Sequence, residues 1–231
     1  MRVRHMQIMS NCLCASNRHG KNAARGFTTL ELMIVIAIAL IMAAVVVPGY
    51  LSMMRYLRIA GDARDLNGLI AQAKMRAAED FTHARVRADL AAGTFELEVW
   101  DTAGNCWRAD DHGPAGACTT SAAALRERLS QGVSFGFAGA GAGAPNPQAV
   151  ISQAPVCGSG VAGGAAGTSY PNSACIEFNS RGRPVAPSGS PTATDALYVT
   201  DARSVYGVTV IISGLVQVWT TSATTTAWQA R

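Results

Sequence analysis

GFTTLELMIVIAIALIMAAVVVP, residues 26–48, contains twenty-one residues from Phe27 to Val47 among which Glu31 is the only charged one. Roughly twenty apolar residues at about 1.5 Å rise per residue cross a hydrocarbon core, so the run predicts a membrane-spanning helix. An ionised carboxylate in hydrocarbon costs several kcal/mol, which makes Glu31 a functional candidate that needs a cationic partner.

The flanks orient the segment. Residues 1–26 carry Arg2, Arg4, Arg18, Lys21 and Arg25 and no acid, whereas the run ends at Pro48-Gly49-Tyr50. A basic flank stays cytoplasmic, so the chain beyond Val47 is expected outside. The run is too long for the apolar region of a cleaved secretory signal, about 7–15 residues, and no small-residue cleavage site follows it. The small residue lies on the other side, at Gly26.

Beyond Pro48 the helical pattern resumes. Leu66, Leu69, Ile70, Ala73 and Ala77 recur at i, i+3, i+4 and i+7, with Arg64, Asp65, Lys74, Arg76 and Glu79 largely between them. The expectation is one helix from about residue 27 to 80, bent near Pro48 and Gly49. Its methionines, Met33, Met42, Met53 and Met54, read as packing residues.

The rest reads as antiparallel β structure. Phe95, Leu97 and Val99 alternate with Glu96 and Glu98, while Val208–Ile212 and Leu215–Trp219 flank Ser213-Gly214, which predicts a hairpin with a two-residue turn. Further strands are expected at Val133–Phe137, Cys175–Phe178 and Ala196–Thr200. Residues 138–170, rich in Gly, Ala and Pro, predict a long surface loop, and Thr220–Arg231 a loose tail. The fold class is thus α+β, a long N-terminal helix packed on a C-terminal antiparallel β-domain. The segments are 1–26, 27–48, an amphipathic second half of the helix over 49–90, and a β-domain over 91–231.

Lys21-Asn-Ala-Ala-Arg-Gly26 followed by Phe27-Thr-Thr-Leu-Glu-Leu-Met33 resembles the class III signal of type IV pilins and type II secretion pseudopilins. That resemblance implies a leader cut by prepilin peptidase between Gly26 and Phe27, N-methylation of Phe27, and an assembly role for Glu31. The new amine at Phe27 supplies the missing cation: Glu31 meets either the Phe27 amine of a neighbouring subunit or its own, four residues away. Ile176-Glu-Phe-Asn-Ser-Arg-Gly-Arg-Pro184, with the strand pair ending at Trp219, resembles the β-domain of the GspH/FimT group of minor pilins and pseudopilins.

By resemblance the chain is a minor pilin or pseudopilin that helps initiate or cap a type IV pilus or a type II secretion pseudopilus. The implied partners are prepilin peptidase, other minor and major pilins or pseudopilins, and the inner-membrane assembly platform. The implied location is the bacterial inner membrane, single-pass, with the C-terminal domain periplasmic. The alternative is a DNA-binding minor pilin. Members that capture DNA carry Gly-Arg-x-Arg at the C-terminal hairpin. The matching stretch here is Gly214-Leu-Val-Gln217, leaving Arg181, Arg183, Arg203 and Arg231 as the candidate DNA patch.

Charge favours the structural role. The whole chain carries +4, but without the five positives of the leader, residues 27–231 hold 14 basic and 15 acidic groups, a net of −1. That balance gives no overall basic footprint for nucleic acid. Cys12 and Cys14 fall in the leader, whereas Cys106, Cys118, Cys157 and Cys175 would face an oxidising compartment. Four cysteines allow three connectivities, and Cys106–Cys118 with Cys157–Cys175 closes two local loops that have little core of their own. No close C-x₂₋₄-C pair suggests zinc, and neither metal nor cofactor is expected.

No enzyme chemistry is expected either. Gly132-Val-Ser-Phe-Gly136 matches a nucleophile elbow, yet no histidine follows Ser134, and His83 and His112 precede it. Gly139, Gly141 and Gly143 lack the following Lys and helix of a phosphate loop. Asp110-Asp111-His112 reads as a solvated turn rather than a metal ligand set.

Overall fold

The computed structural model describes residues 26–110, 118, 126–140, 145, 152–164, 167–225 and 227–231. His112, Asp111, Gly141 and Gly143 therefore lie outside the described residues. The chain divides into two compact units, the first ending at Pro48 and the second running from Gly49 to Arg231.

Helix α1 (Thr29–Glu79) is continuous through Pro48. It begins where Thr28 Oγ1 accepts the Glu31 N–H at 3.2 Å and the Thr28 carbonyl accepts the Leu32 N–H at 3.1 Å. Thr28 is thus the N-cap and Glu31 occupies the third helical position, the Thr-x-x-Glu spacing of a capping box. The helix ends as Thr82 N donates to the Ala77 carbonyl at 3.2 Å across Phe81, which has φ of 51°. This is a Schellman closure with a left-handed residue after the helix cap.

In the first unit the described residues Gly26–Pro48 are all exposed. Their helix is long and apolar enough to cross a membrane, with a mean hydropathy of 3.0 over its most apolar window.

The second unit adds eleven described strands: β1 (Ala84–Asp89), β2 (Thr94–Asp101), β3 (Cys106–Ala109), β4 (Glu127–Arg128), β5 (Ser134–Phe135) and β6 (Ser173–Phe178). Then follow β7 (Pro184–Val185), β8 (Ala196–Thr200), β9 (Ser204–Val210), β10 (Val216–Ser222) and β11 (Gln229–Ala230). All strand pairs are antiparallel. One sheet has the order β3-β2-β1-β6-β7, with β4 also on β2, and the other the order β11-β10-β9-β8-β5.

The second half of α1 packs on both sheets. Ile59, Ala63, Leu66, Ile70, Ala73 and Ala77 share one core with Val86, Phe95, Leu97 and Ile176 of the first sheet and Leu197, Val199, Val208 and Val210 of the second. Asp62 accepts Ser130 N at 3.0 Å and Ser130 Oγ at 2.8 Å, pinning the segment after β4 to the helix. The far face of the second sheet holds a smaller core of Ala140, Ala196, Tyr198, Val205 and Ala223, with Phe137 and Trp228 against it. Gly207 makes room for the Tyr198 ring there: a Cβ on it would sit 2.7 Å from Tyr198 Cε1.

The α+β architecture is as expected, and four details differ. The helix ends at Glu79, as expected, but Ala84–Asp89, inside the 49–90 segment assigned to the helix, is the central strand of the first sheet. The hairpin turn is longer than two residues. Ile211 N bonds to the Leu215 carbonyl at 3.0 Å and Gly214 N to the Ile211 carbonyl at 2.7 Å, so three residues form the loop and Gly214, at φ 76°, takes its left-handed last position. The tail from Thr220 is ordered into the end of β10 and into β11, which pairs Gln229 with Thr220 and Ala230 with Trp219. Finally, residues 152–164 are not a free surface loop: Gln153 and Ala154 bond β8 of the second sheet, and residues 155–162 cover the outer face of the first.

Candidate functional site

Register creates that outer face. Arg85 lies opposite Glu98 on β2 and Glu177 on β6, and Arg87 lies opposite Glu96 and Cys175. Direct opposition of unlike charges stabilises an antiparallel pair. Here Arg85, Glu96 and Glu98 are also buried. Arg85 Nε donates to Glu98 Oε2 at 2.6 Å, Arg87 reaches Glu98 at 3.1 Å and Glu96 at 3.6 Å, and Arg126 reaches Glu96 at 3.3 Å. Burial pulls the Arg85 pKa down, partly offset by Glu98.

The covering segment completes the polar contacts. Arg85 Nη1 donates to the Gly158 carbonyl at 2.6 Å, Trp107 Nε1 to the Gly160 carbonyl at 3.0 Å, and Ala162 N to Glu177 Oε1 at 2.9 Å. His83 Nδ1 sits 2.8 Å from the same Glu177 oxygen. The Arg85 guanidinium lies 4.0 Å from the Trp107 ring centroid and that of Arg87 4.9 Å from the Tyr170 centroid. A cleft of about 220 Å³ remains between this segment and the sheet, lined by Arg85, Glu177, Val161, Val185 and Pro187. Its charges are satisfied within the protein, so the arrangement is a structural ion-pair layer.

Two disulfides staple these parts. Cys157–Cys175 ties the covering segment to β6, and Cys106–Cys118 joins β3 to the single described residue of its following loop. Each closes a short loop, 18 and 12 residues apart in sequence, and limits the unfolded chain.

The remaining sequence candidates separate. Gly26 and Phe27 precede α1, with Phe27 83% exposed, and Glu31 lies in the helix's first turn. A helix N-terminus carries partial positive charge, so this acid already sits at a favourable place. Ser134 is a strand residue paired with Thr200, without the strand–turn–helix setting of a nucleophile elbow. Asp110 forms an ion pair with Arg76 at 2.7 Å. Among the described residues no group of three His, Cys, Asp or Glu side chains is placed to hold a metal.

The four arginines do not form one patch. Arg181 and Arg183 project from the β6–β7 turn, which touches the β9–β10 tip at Gly214. Arg203 lies in the β8–β9 turn, at the opposite end of β9, a strand length of roughly 20 Å away. Arg231 borders the middle of β10, its N–H bonded to the Val218 carbonyl at 2.9 Å. Lys74, not singled out from the sequence, instead joins Arg181 and Arg183. Only the meeting of helix and two turns reveals it.

No protein-family model matches the chain, and no curated protein does. Among solved structures, the chain is similar to the minor pseudopilin EpsH from the Type 2 Secretion System of Vibrio cholerae, at 14% identity and a TM-score of 0.39, over 70% of this chain and 95% of that one.

Proposed function

We propose that the chain is a structural, non-catalytic filament subunit, a minor pilin or pseudopilin of the GspH/FimT kind. Prepilin peptidase cuts after Gly26, Phe27 is methylated, and the residues after it first cross the inner membrane and then pack in a pilus or pseudopilus. The carrying observation is the exposed apolar part of α1 up to Pro48, whose only charge is Glu31, in the first turn four residues after Phe27. In apolar surroundings a carboxylate next to a neighbour's Phe27 amine is stable, while a mis-stacked subunit leaves both charges unpaired. The pair therefore acts as a register device. Other pilins or pseudopilins, the peptidase and the assembly platform are the partners in this reading, with the second unit in the periplasm.

N-terminal mass spectrometry of the protein from cells with active peptidase tests it. The expected product starts at a methylated Phe27, and replacing Gly26 with a bulky residue leaves the uncut precursor. A start elsewhere, or no cut, would overturn the reading. DNA capture remains the second reading, favoured by the meeting of Arg181, Arg183 and Lys74. Against it stand the separation of Arg203 from that group and the Leu215 and Gln217 that occupy the hairpin's arginine positions.

A further inference from the structure

Two turns and a lysine stem meet at one end of the second unit. Gly182 and Gly214 are buried although each belongs to an exposed turn, and both have positive φ, 67° and 76°. A Cβ on Gly214 would lie 2.4 Å from the Gly182 carbonyl oxygen and 3.1 Å from Lys74 Cε, and one on Gly182 would lie 3.1 Å from Lys74 Cγ. The lysine stem is therefore held between the turns, and only glycine permits that approach.

The cations at this notch have a fixed base. Asn179 Oδ1 accepts the N–H of Arg181 at 3.0 Å and of Arg183 at 3.1 Å, and the Asn179 carbonyl accepts Gly182 N at 2.8 Å. Arg181 and Arg183 are exposed, and among the described residues neither they nor Lys74 meets a carboxylate. Arg76, Arg85 and Arg87, by contrast, are all paired. Beside them the same hairpin tip exposes two aliphatic side chains, Ile212 at 48% and Leu215 at 53%.

Three cations that meet no carboxylate among the described residues, next to two exposed aliphatic groups, call for a ligand with both anionic and apolar surface. A DNA backbone supplies only the anions, and the tip has no aromatic side chain on which bases could stack. A flat bilayer reaches projecting groups more readily than a half-buried lysine held between two turns. An extended protein segment satisfies all five side chains, since its alternate residues address opposite sides and can place carboxylates and apolar groups separately.

We propose that the notch of Lys74, Arg181 and Arg183 with Ile212 and Leu215 is a docking surface for an acidic protein segment that carries interspersed apolar side chains. The surface lies wholly in the second unit and does not depend on how residues 26–48 are processed or where they insert.

The test uses the full chain in nanodiscs of zwitterionic lipid and a short fluorescent peptide of alternating Glu and Leu, with a Lys/Leu peptide as control. Anisotropy should show binding of the acidic peptide that weakens with added salt. Combining Lys74→Met, Arg181→Gln and Arg183→Gln should weaken it by about tenfold or more, while Arg203→Gln, at the far end of β9, should leave it unchanged. Reversing the charges with Arg181→Glu and Arg183→Glu should transfer preference to the Lys/Leu peptide, a result that misfolding does not produce. Equal binding of the two peptides, or wild-type affinity in the triple variant, overturns the proposal. So does tighter binding of a short DNA duplex or of anionic vesicles through the same three cations, which would assign the surface to those ligands.

Discussion

Arg85 and Glu98 form a 2.6 Å hydrogen bond with only 2% and 7% of their side chains exposed, directly opposite each other on β1 and β2. Taking both ions out of water is costly, and the geometry returns much of that cost through the Gly158 carbonyl and the Trp107 ring. Breaking such a pair exposes the asymmetry. Glu98→Ala is expected to destabilise the second unit by about 3–5 kcal/mol, because the guanidinium stays buried without its counter-ion. The double replacement Arg85→Met with Glu98→Leu should recover most of the loss. Urea unfolding followed by tryptophan fluorescence reads both, and a cost under about 1 kcal/mol for Glu98→Ala would show that the pair behaves as a solvated one.

Phe81 combines left-handed backbone, φ 51°, with 85% exposure at the helix C-terminus. A bulky residue there is strained, and glycine is the usual occupant of the position. Since an exposed side chain contributes little packing, Phe81→Gly is expected to raise stability by about 0.5–1 kcal/mol despite the added freedom of the unfolded chain. A lower unfolding midpoint would mean that the Phe81 ring makes contacts worth more than the strain.

Local pattern made the helix legible: twenty-one residues without a second charge, then apolar positions at helical spacing. The strand Ala196–Thr200 was likewise visible in its own residues and is formed as expected. Ala84–Asp89 was harder, because its alternation is Ala-Arg-Val-Arg-Ala-Asp and its charges resemble the polar face of a continuing helix. Their burial follows from register against Glu96, Glu98 and Glu177, residues 9 to 92 positions away, and register is not a local property. The same holds for Lys74, whose neighbours Gly182 and Gly214 lie over a hundred residues downstream. The missed turn had a different cause. A Gly after Ser suggested a two-residue loop, but its left-handed conformation serves equally as the last residue of a three-residue one.

Asp195 gives the second unit a pH dependence of known sign. Burial, and secondarily the charge of Glu177, pushes its pKa up to about 7 from the ordinary carboxylate range. The unfolded chain ionises this group near about 3.9, so from there to about pH 7 the native state holds a proton that the unfolded state has lost. Its contribution is therefore fully present below about pH 4, falls as pH rises, and levels off above about 7. Asp195→Asn removes the titration while keeping the shape. The stability difference, variant minus wild type, should increase between pH 4.5 and 7.5 by up to a few kcal/mol. Comparing the two proteins isolates the part of the pH dependence that needs Asp195, and a difference that shrinks over this range would contradict the assignment.

The proposed assembly role of Glu31 separates insertion from incorporation. Glu31→Ala removes the only charge of an apolar segment, so membrane insertion should be retained. Thr28 still caps the helix by accepting the residue-31 N–H, a backbone contact that the substitution leaves in place. The acid's interaction with the helix dipole is lost, but in Glu31→Gln the length and hydrogen-bonding capacity are kept while the charge is not. If the carboxylate pairs with the Phe27 amine of a neighbour, both variants should be cut after Gly26 and remain in the membrane fraction, yet be depleted from sheared filaments to a similar degree. If Glu31 serves only the helix end, Glu31→Gln should incorporate as wild type does. Quantitative immunoblotting of membrane and filament fractions distinguishes the two, and wild-type incorporation of Glu31→Gln would remove charge pairing from the assembly step.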